Sequence, residues 1–243
     1  MLNDLLLLSK NDIPFIPAQI TIHQPTIKEI ALIGEENFFA GCELLNFSKE
    51  ILSETDKINL AKLTNFEILM SIMNDKNSNS LKNRNGAIMV LTLLFPGYEI
   101  DLSNREIILY KDNEYHYINN DNFEQFKEIL VAMFCLKKPE SEYNPGGDLA
   151  RRISDKLKKG KERKARDLGG QQKIDVLSRY SSVLSVGMQI DLNIILNYSV
   201  YQLFDAYQRY ELKMYSDSTF EAKLAGAKDI KDADNWMKDI HSN

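Results

Sequence analysis

The sequence predicts a mainly α-helical protein with a small antiparallel β-hairpin insertion, built as two helical modules joined by a basic linker. Three observations carry that expectation. Apolar residues recur at helical spacing along most of the chain. One stretch, 98–118, is instead rich in β-branched and aromatic residues around a short Asp112-Asn113 turn. A segment bracketed by Gly146-Gly147 and Gly169-Gly170 separates two acidic flanks, each with its own apolar pattern. The expected divisions are therefore an α-rich module over 1–140 with the hairpin near 98–118, a linker helix over 141–170, and a helical module over 171–243.

Composition bounds the function classes. With 243 residues, 44% apolar and 27% charged, each half has material for a core. The net charge of −5 argues against a protein that coats nucleic acid over its whole surface. Cys42 and Cys135 sit in apolar helical contexts and read as buried free thiols of a reducing compartment, ahead of disulfide or metal roles. The Leu5-Leu6-Leu7-Leu8 run is too short for a signal peptide and lacks a basic start. No apolar run approaches the ~18 residues that span a bilayer. A cytoplasmic location is expected by elimination.

Along the first module, residues 13–22 alternate and carry two prolines, which suits an extended edge segment. Thr26 and Glu29 have capping-box spacing after Pro25. Ile27, Ile30, Ala31, Gly34, Phe38 and Cys42 then lay one apolar stripe at helical spacing, a core face by preference and a partner surface as the alternative. A second helix is expected over 66–73, ended by a polar loop from Asn74 to Asn85. The nearly all-apolar run 87–95 reads as a buried helix and the spine of the module. Residues 107–110 and 114–118 form the hairpin, 98–102 offers a third strand, and 119–122 caps a helix through Phe126, Ile129, Leu130 and Met133.

Ile22-His23-Gln24-Pro25-Thr26-Ile27-Lys28-Glu29-Ile30, followed by Ile33-Gly34-Glu35-Glu36-Asn37-Phe38-Phe39, resembles the start of tail assembly chaperones from bacteriophages of Gram-positive hosts. Met89-Val90-Leu91-Thr92-Leu93-Leu94-Phe95-Pro96 and the hairpin plus helix after it are similar too, so the resemblance covers roughly the first 140 residues. The ending around Phe220 to Lys228 and Asp232 to Ile240 resembles the ends of the same proteins. The resemblance implies a non-enzymatic chaperone of the host cytoplasm. It would bind the tape-measure protein while the tail is built, help recruit tail-tube protein, and leave before the virion is complete. It also implies a short form and a longer, frameshift-extended form.

In the linker, Arg151, Arg152, Lys156, Lys158, Lys159, Lys161, Arg163, Lys164 and Arg166 stand against Asp155 and Glu162, a balance of +7. Such a segment can bind phosphate backbones by counterion release, yet no aromatic interrupts it between Leu149 and Gly170 to stack on bases. A solvated helical linker is the preferred reading, with nucleic-acid binding weak or none and no membrane contact.

In the second module, residues 174–188 form a helix that should break near Gly187, and Asp191 can cap the next, expected from Leu192 through Lys213. Two such helices make a thin core, so they should pack on the first module, on a third helix or on another subunit. Tyr201, Tyr207 and Tyr210, with Tyr198 and Tyr215, could line an aromatic recognition surface, with half-buried packing of the hairpin as the preferred reading. Trp236, the only tryptophan, and Met237 lie on a short acidic segment read as helical. They are the remaining partner-binding candidates, with self-docking on the hairpin as the favoured alternative.

Chemistry-bearing motifs are missing. His23, His116 and His241 are scattered, no HExxH or CxxC occurs, and neither glycine pair has phosphate-loop spacing. The paired Glu35-Glu36 reads as solvated charge. No catalytic residue, cofactor or metal is expected. Besides the chaperone, two readings stay open: a nucleic-acid-binding accessory protein using the basic linker, and a structural tail or baseplate component. Self-association stays open as well.

Overall fold

The computed structural model describes residues 3–49, 60–75, 81–103, 105–136, 175–227 and 236–237. The fold is mainly α-helical with a two-stranded and a three-stranded antiparallel sheet.

Helix α1 (Asp4–Leu8) starts at Asn3, whose side chain accepts from the Leu5 N–H, and buries Leu7. Strands β1 (Ile13–Phe15) and β2 (Ile20–Ile22) pair antiparallel with Ile13 opposite Ile22, joined by a 3-10 turn at Ile16–Ala18. Their alternation is met literally: Ile13, Phe15, Ile20 and Ile22 are buried while Pro14 and Thr21 face out. A ribbon this short leaves Pro14 on an edge, where its missing N–H costs nothing.

Helix α2 (Ile27–Ile33) has the capping box expected of Thr26 and Glu29. Thr26 Oγ1 accepts from the Glu29 N–H at 3.2 Å, and Glu29 Oε2 accepts from the Thr26 N–H at 2.7 Å. The apolar stripe that follows belongs to two helices, not one. Gly34, at φ +83, ends α2 and opens α3 (Glu35–Leu45), so Ile27 and Ile30 are buried from one axis and Phe38 and Cys42 from another. Periodicity survives because the turn costs about one residue, and Ala31 ends up exposed.

Helix α4 (Asn65–Asn74) opens on a second capping box, Thr64 with Glu67. Helix α5 (Leu81–Leu94) begins earlier than its apolar run, so residues 81–85 are helical where a polar loop was expected. Asn83 and Asn85 in that first part face solvent, and polarity alone could not tell an exposed helix face from a loop. Deeper in, α5 crosses α3 at Gly86 against Gly41. A Cβ on Gly86 would sit 2.5 Å from the Asn37 carbonyl oxygen, and one on Gly41 would overlap the Gly86 carbonyl. Only paired glycines let these two backbones meet.

Strands β3 (Glu99–Leu102), β4 (Ile107–Lys111) and β5 (Glu114–Ile118) form the expected meander in that order. Asp112 and Asn113 both take positive φ, 52° and 65°, as a two-residue turn with right-handed strand twist requires. Helix α6 (Phe123–Met133) follows Asn122, whose side chain accepts from the Asn119 N–H and donates to the Tyr117 carbonyl, each at 2.9 Å, fixing the turn rather than capping the helix.

In the C-terminal region, α7 (Val176–Met188) ends on left-handed Gln189, two residues past Gly187. Asp191 caps α8 (Leu192–Ile195) through the Asn193 N–H. The single helix expected from Leu192 through Lys213 is interrupted: the chain breaks after α8, and Ser199 with Gln202 opens α9 (Val200–Leu224) through a third capping box. At 25 residues, α9 is about 37 Å long at ~1.5 Å per residue and runs well past Lys213.

Seven phenylalanines are fully buried, among them Phe15, Phe95 and Phe126, whose rings lie about 6 Å apart in sequence of contact. The same core continues without interruption to Leu177, Leu184, Ile195, Val200, Leu203 and Tyr207. The C-terminal helices thus pack on the first module. Cys42 is buried as expected, whereas Cys135 is exposed, because the chain turns into left-handed backbone there after α6. No described helix is long and apolar enough to cross a membrane.

Candidate functional site

The C-terminal helices are held to the rest by backbone and side-chain bonds at their first turns. The α2 N–H groups of Ile27 and Lys28, which lack helical acceptors, donate to the carbonyls of Tyr198 at 2.9 Å and Leu196 at 2.8 Å. Those acceptors exist because the chain between α8 and α9 is not helical. Gln202 Nε2 donates to the Leu8 carbonyl at 2.6 Å, and Lys10 Nζ to the Asn197 carbonyl at 3.0 Å.

At the start of α7, Asp175 makes no side-chain cap bond. Glu35 does that work from α3: Oε1 accepts from the Leu177 N–H at 2.9 Å and Oε2 from the Ser178 N–H at 3.5 Å. Burial, together with the Asp175 carboxylate, pushes Glu35 above the ordinary carboxylate range despite these donors. In the sequence alone Glu35 reads as solvated charge. The partner lies 142 residues away, so no local pattern could reveal it.

The tyrosine candidates divide sharply. Tyr201 and Tyr207 are buried and Tyr210 is half-buried. The Tyr207 ring stacks on Tyr180 at 3.7 Å and 8°, with Phe204 edge-on to Tyr180 at 5.3 Å. Tyr210 lies over Gly187, where a Cβ would strike its hydroxyl end. Burial and then the Asp4 carboxylate push the Tyr201 phenol up. These three rings therefore pack α9 onto α7 and the first module.

Past Tyr210 the helix changes character. Met214, Tyr215, Phe220 and Leu224 are exposed apolar residues, and so are Val186 and Met188 at the end of α7 and Leu192 and Ile194 in α8. Gln208, Glu211, Leu212 and Tyr215, at i, i+3, i+4 and i+7, line a shallow hollow of about 380 Å³. Trp236 and Met237 are also exposed, at 38% and 66%. Exposed apolar side chains in this number are candidates for a contact surface; Trp236 and Met237 are candidates from the sequence, and Met214, Phe220 and Leu224 are not. Their spacing does not form one stripe, so a moment-based reading passes over them. The nine basic linker residues, Arg151 to Arg166, lie outside the described residues.

A second, polar cleft of about 520 Å³ lies between the β1–β2 connection and β5. In it His116 Nδ1 donates to the Ala18 carbonyl at 2.9 Å, and Nε2 lies 3.8 Å from Glu114. Its described lining is otherwise Pro17, Gln19, Tyr115, Tyr117, Asn119 and Asn122. His23 sits elsewhere, between Asp12 at 3.0 Å and Glu29 at 3.3 Å. Burial would raise Glu29, but its bonds to Thr26 and the His23 charge hold it below the usual range. Among the described residues no cluster of His, Cys, Asp or Glu is placed to hold a metal ion.

No curated protein and no solved structure matches the chain. Residues 174–241, a stretch that includes α7 to α9, are similar to the family model of the YomV second domain, a phage-associated family.

Proposed function

We propose that the protein is a phage tail assembly chaperone of the host cytoplasm, non-enzymatic, that transiently binds the tape-measure protein and helps recruit tail-tube protein. The observation that carries this reading is the coincidence of two things in one region. Residues 174–241 are similar to a phage-associated domain, and the described part of that region exposes Met214, Tyr215, Phe220 and Leu224 beyond the core. The resemblance of residues 22–39 and 89–96 to tail assembly chaperones supplies the role. Exposed apolar side chains on a helix are the kind of surface that shields an aggregation-prone partner helix.

Coexpression with a candidate tape-measure protein tests it. The expected result is that the chain keeps that protein soluble and co-purifies with it, and that Met214→Asp with Phe220→Asp ends both. Equal solubility with and without the chain would refute the role. Titration against duplex DNA at two salt concentrations separates the nucleic-acid alternative, since linker-driven binding would be tight and steeply salt-dependent.

A further inference from the structure

We propose that the outer edge of β5, with the polar cleft beside it, is a strand-addition site that takes an extended, basic segment of a partner protein. This goes beyond the chaperone reading and does not depend on it.

The register decides which backbone groups of β5 face outward. Lys111 stands opposite Glu114, Leu109 opposite His116 and Ile107 opposite Ile118, around the two-residue Asp112-Asn113 turn. A turn of that length makes the residues flanking it a hydrogen-bonded pair, and such pairs recur at every second residue. Glu114, His116 and Ile118 therefore direct their N–H and C=O groups to β4, and those of Tyr115 and Tyr117 point away from it. Asn122 agrees with that parity, since its Nδ2 donates to the Tyr117 carbonyl at 2.9 Å from the turn beyond β5. Tyr115 N–H, Tyr115 C=O and Tyr117 N–H have no hydrogen-bond partner among the described residues. On the opposite edge of the sheet, Leu102 N–H is already taken by the Asp101 carboxylate at 2.9 Å. Strand β5 also lacks the lysine or proline that blunts many natural edges.

The cleft supplies room along this edge. It measures about 520 Å³ and has Pro17, Ala18 and Gln19 as its other wall, within the roughly 300–1,000 Å³ of ligand sites. His116 ties the two walls through the bond from Nδ1 to the Ala18 carbonyl at 2.9 Å, so the site is preformed.

Charge selects the occupant. No lysine or arginine lines the cleft, and Glu114 presents a carboxylate side chain that is 76% exposed. A strand laid antiparallel to β5 exchanges two bonds with Tyr115 and accepts a third from Tyr117 N–H. Its next residue then stands across from Glu114, where Lys or Arg makes an opposite-charge cross-strand pair. β-Branched residues opposite Tyr115 and Tyr117 pack on those exposed rings.

The probe that fits is a fluorescein-labelled Thr-Val-Thr-Val-Lys-Thr peptide, titrated with the full chain and followed by anisotropy. It should bind saturably, with Kd below about 1 mM. Tyr115→Pro removes only an outward N–H, which an edge strand tolerates, and should weaken binding about five-fold, the net worth of one hydrogen bond. Tyr115→Val keeps that N–H and should lose less. N-methylation of the valine before the lysine should weaken the peptide as Tyr115→Pro does. Glu114→Lys should weaken binding, whereas Glu221→Lys, the same charge change on α9, should not. Amide exchange followed by NMR should show Tyr115 and Tyr117 N–H fast in the free chain and protected by the peptide. Far-ultraviolet dichroism checks that each variant is folded. The proposal is overturned if the peptide does not bind, if Tyr115→Val weakens it as much as Tyr115→Pro, or if the N-methyl peptide binds as well as its parent. It also fails if Glu221→Lys matches Glu114→Lys, or if both amides are already protected in the free chain; protection lost on dilution would give the edge to a second copy.

Discussion

The crossing of α3 and α5 offers the sharpest test of the fold. In an unencumbered helix interior, Gly→Ala stabilises by about 1 kcal/mol. At Gly86 the added Cβ would lie 2.5 Å from the Asn37 carbonyl oxygen and 2.9 Å from the Gly41 nitrogen, against an ordinary contact of 3.4–4 Å. Both neighbours are backbone, so neither can rotate away, and the helices must separate by roughly 1 Å. Phe38, Cys42, Ala87, Val90 and Leu91 surround the crossing with at most 1% exposure, and a gap of ~0.5–1 Å forfeits a quarter to a half of each dispersion contact. Overpacking of this kind costs about 1–3 kcal/mol, and here the upper end applies. After the gain in helix propensity the net loss is about 2 kcal/mol, which lowers Tm by roughly 4–8 °C in a chain of this size. Thermal melts followed by dichroism, with urea titration in parallel, measure it for Gly86→Ala and Gly41→Ala. A Tm equal to or above wild type for both would refute the close approach. Gly187→Ala is the comparison: the nearest atoms to its Cβ are the hydroxyl, Cζ and Cε2 of the half-buried Tyr210 side chain rather than backbone, so its cost should be smaller than that of Gly86→Ala.

Other expectations concern the seam and the thiols. Glu35→Ala should remove the cap of α7 and cost about 1 kcal/mol by urea titration, whereas Glu36→Ala should cost much less. Since the folded chain raises the Glu35 pKa, it binds this proton more tightly than the unfolded chain does. Its contribution is thus fully present below the unfolded value and is lost as pH rises through the folded one, and Glu35→Gln should flatten that part of the stability–pH curve. Ser199→Ala should cost about 1 kcal/mol by loosening the start of α9, checked by the same titration. Native alkylation followed by mass spectrometry should label Cys135 and spare Cys42. Desolvation and Asp205 push the Cys135 thiol up to about 11, so its labelling should be slow near neutrality and accelerate as pH climbs toward that value. Labelling of Cys42 in the folded chain would contradict its burial.

Much of the fold was legible wherever a local rule acts over three or four residues. Thr26 with Glu29 reads as a capping box, and Asp112-Asn113 between β-branched runs reads as a hairpin turn, because the physics of each is complete within its own segment. The stripe from Ile27 to Cys42 misled for the converse reason. A helical period does not register the break at Gly34, where one residue of left-handed backbone bends the axis while the buried side chains keep their spacing. Polar Asn83 and Asn85 concealed a helix start, since solvent on one side of α5 asks for the same residues as a loop. Glu35 and the α8–α9 break escaped because both answer to partners far along the chain. Among the tyrosines, packing of the hairpin is the preferred expectation, and Tyr201, Tyr207 and Tyr210 meet it while Tyr215 stays exposed. Whether an aromatic on an amphipathic helix faces a neighbour or water is decided by what the rest of the fold lays beside it, which its own spacing does not encode.

The bonds from Leu177 to Glu35 and from Gln202 to Leu8 join residues 142 and 194 positions apart. A ribosome releases the acceptors and donors of that seam in strict order, amino end first. While α2 and α3 emerge, the N–H groups of Ile27 and Lys28 have only water to bond, and the core stays open on the side that Leu203 will later fill. Closure waits until translation has passed residue 207. Any product halted before residue 175 would keep that side unsealed for its lifetime, and would differ from the complete chain in its adhesiveness, not merely its length.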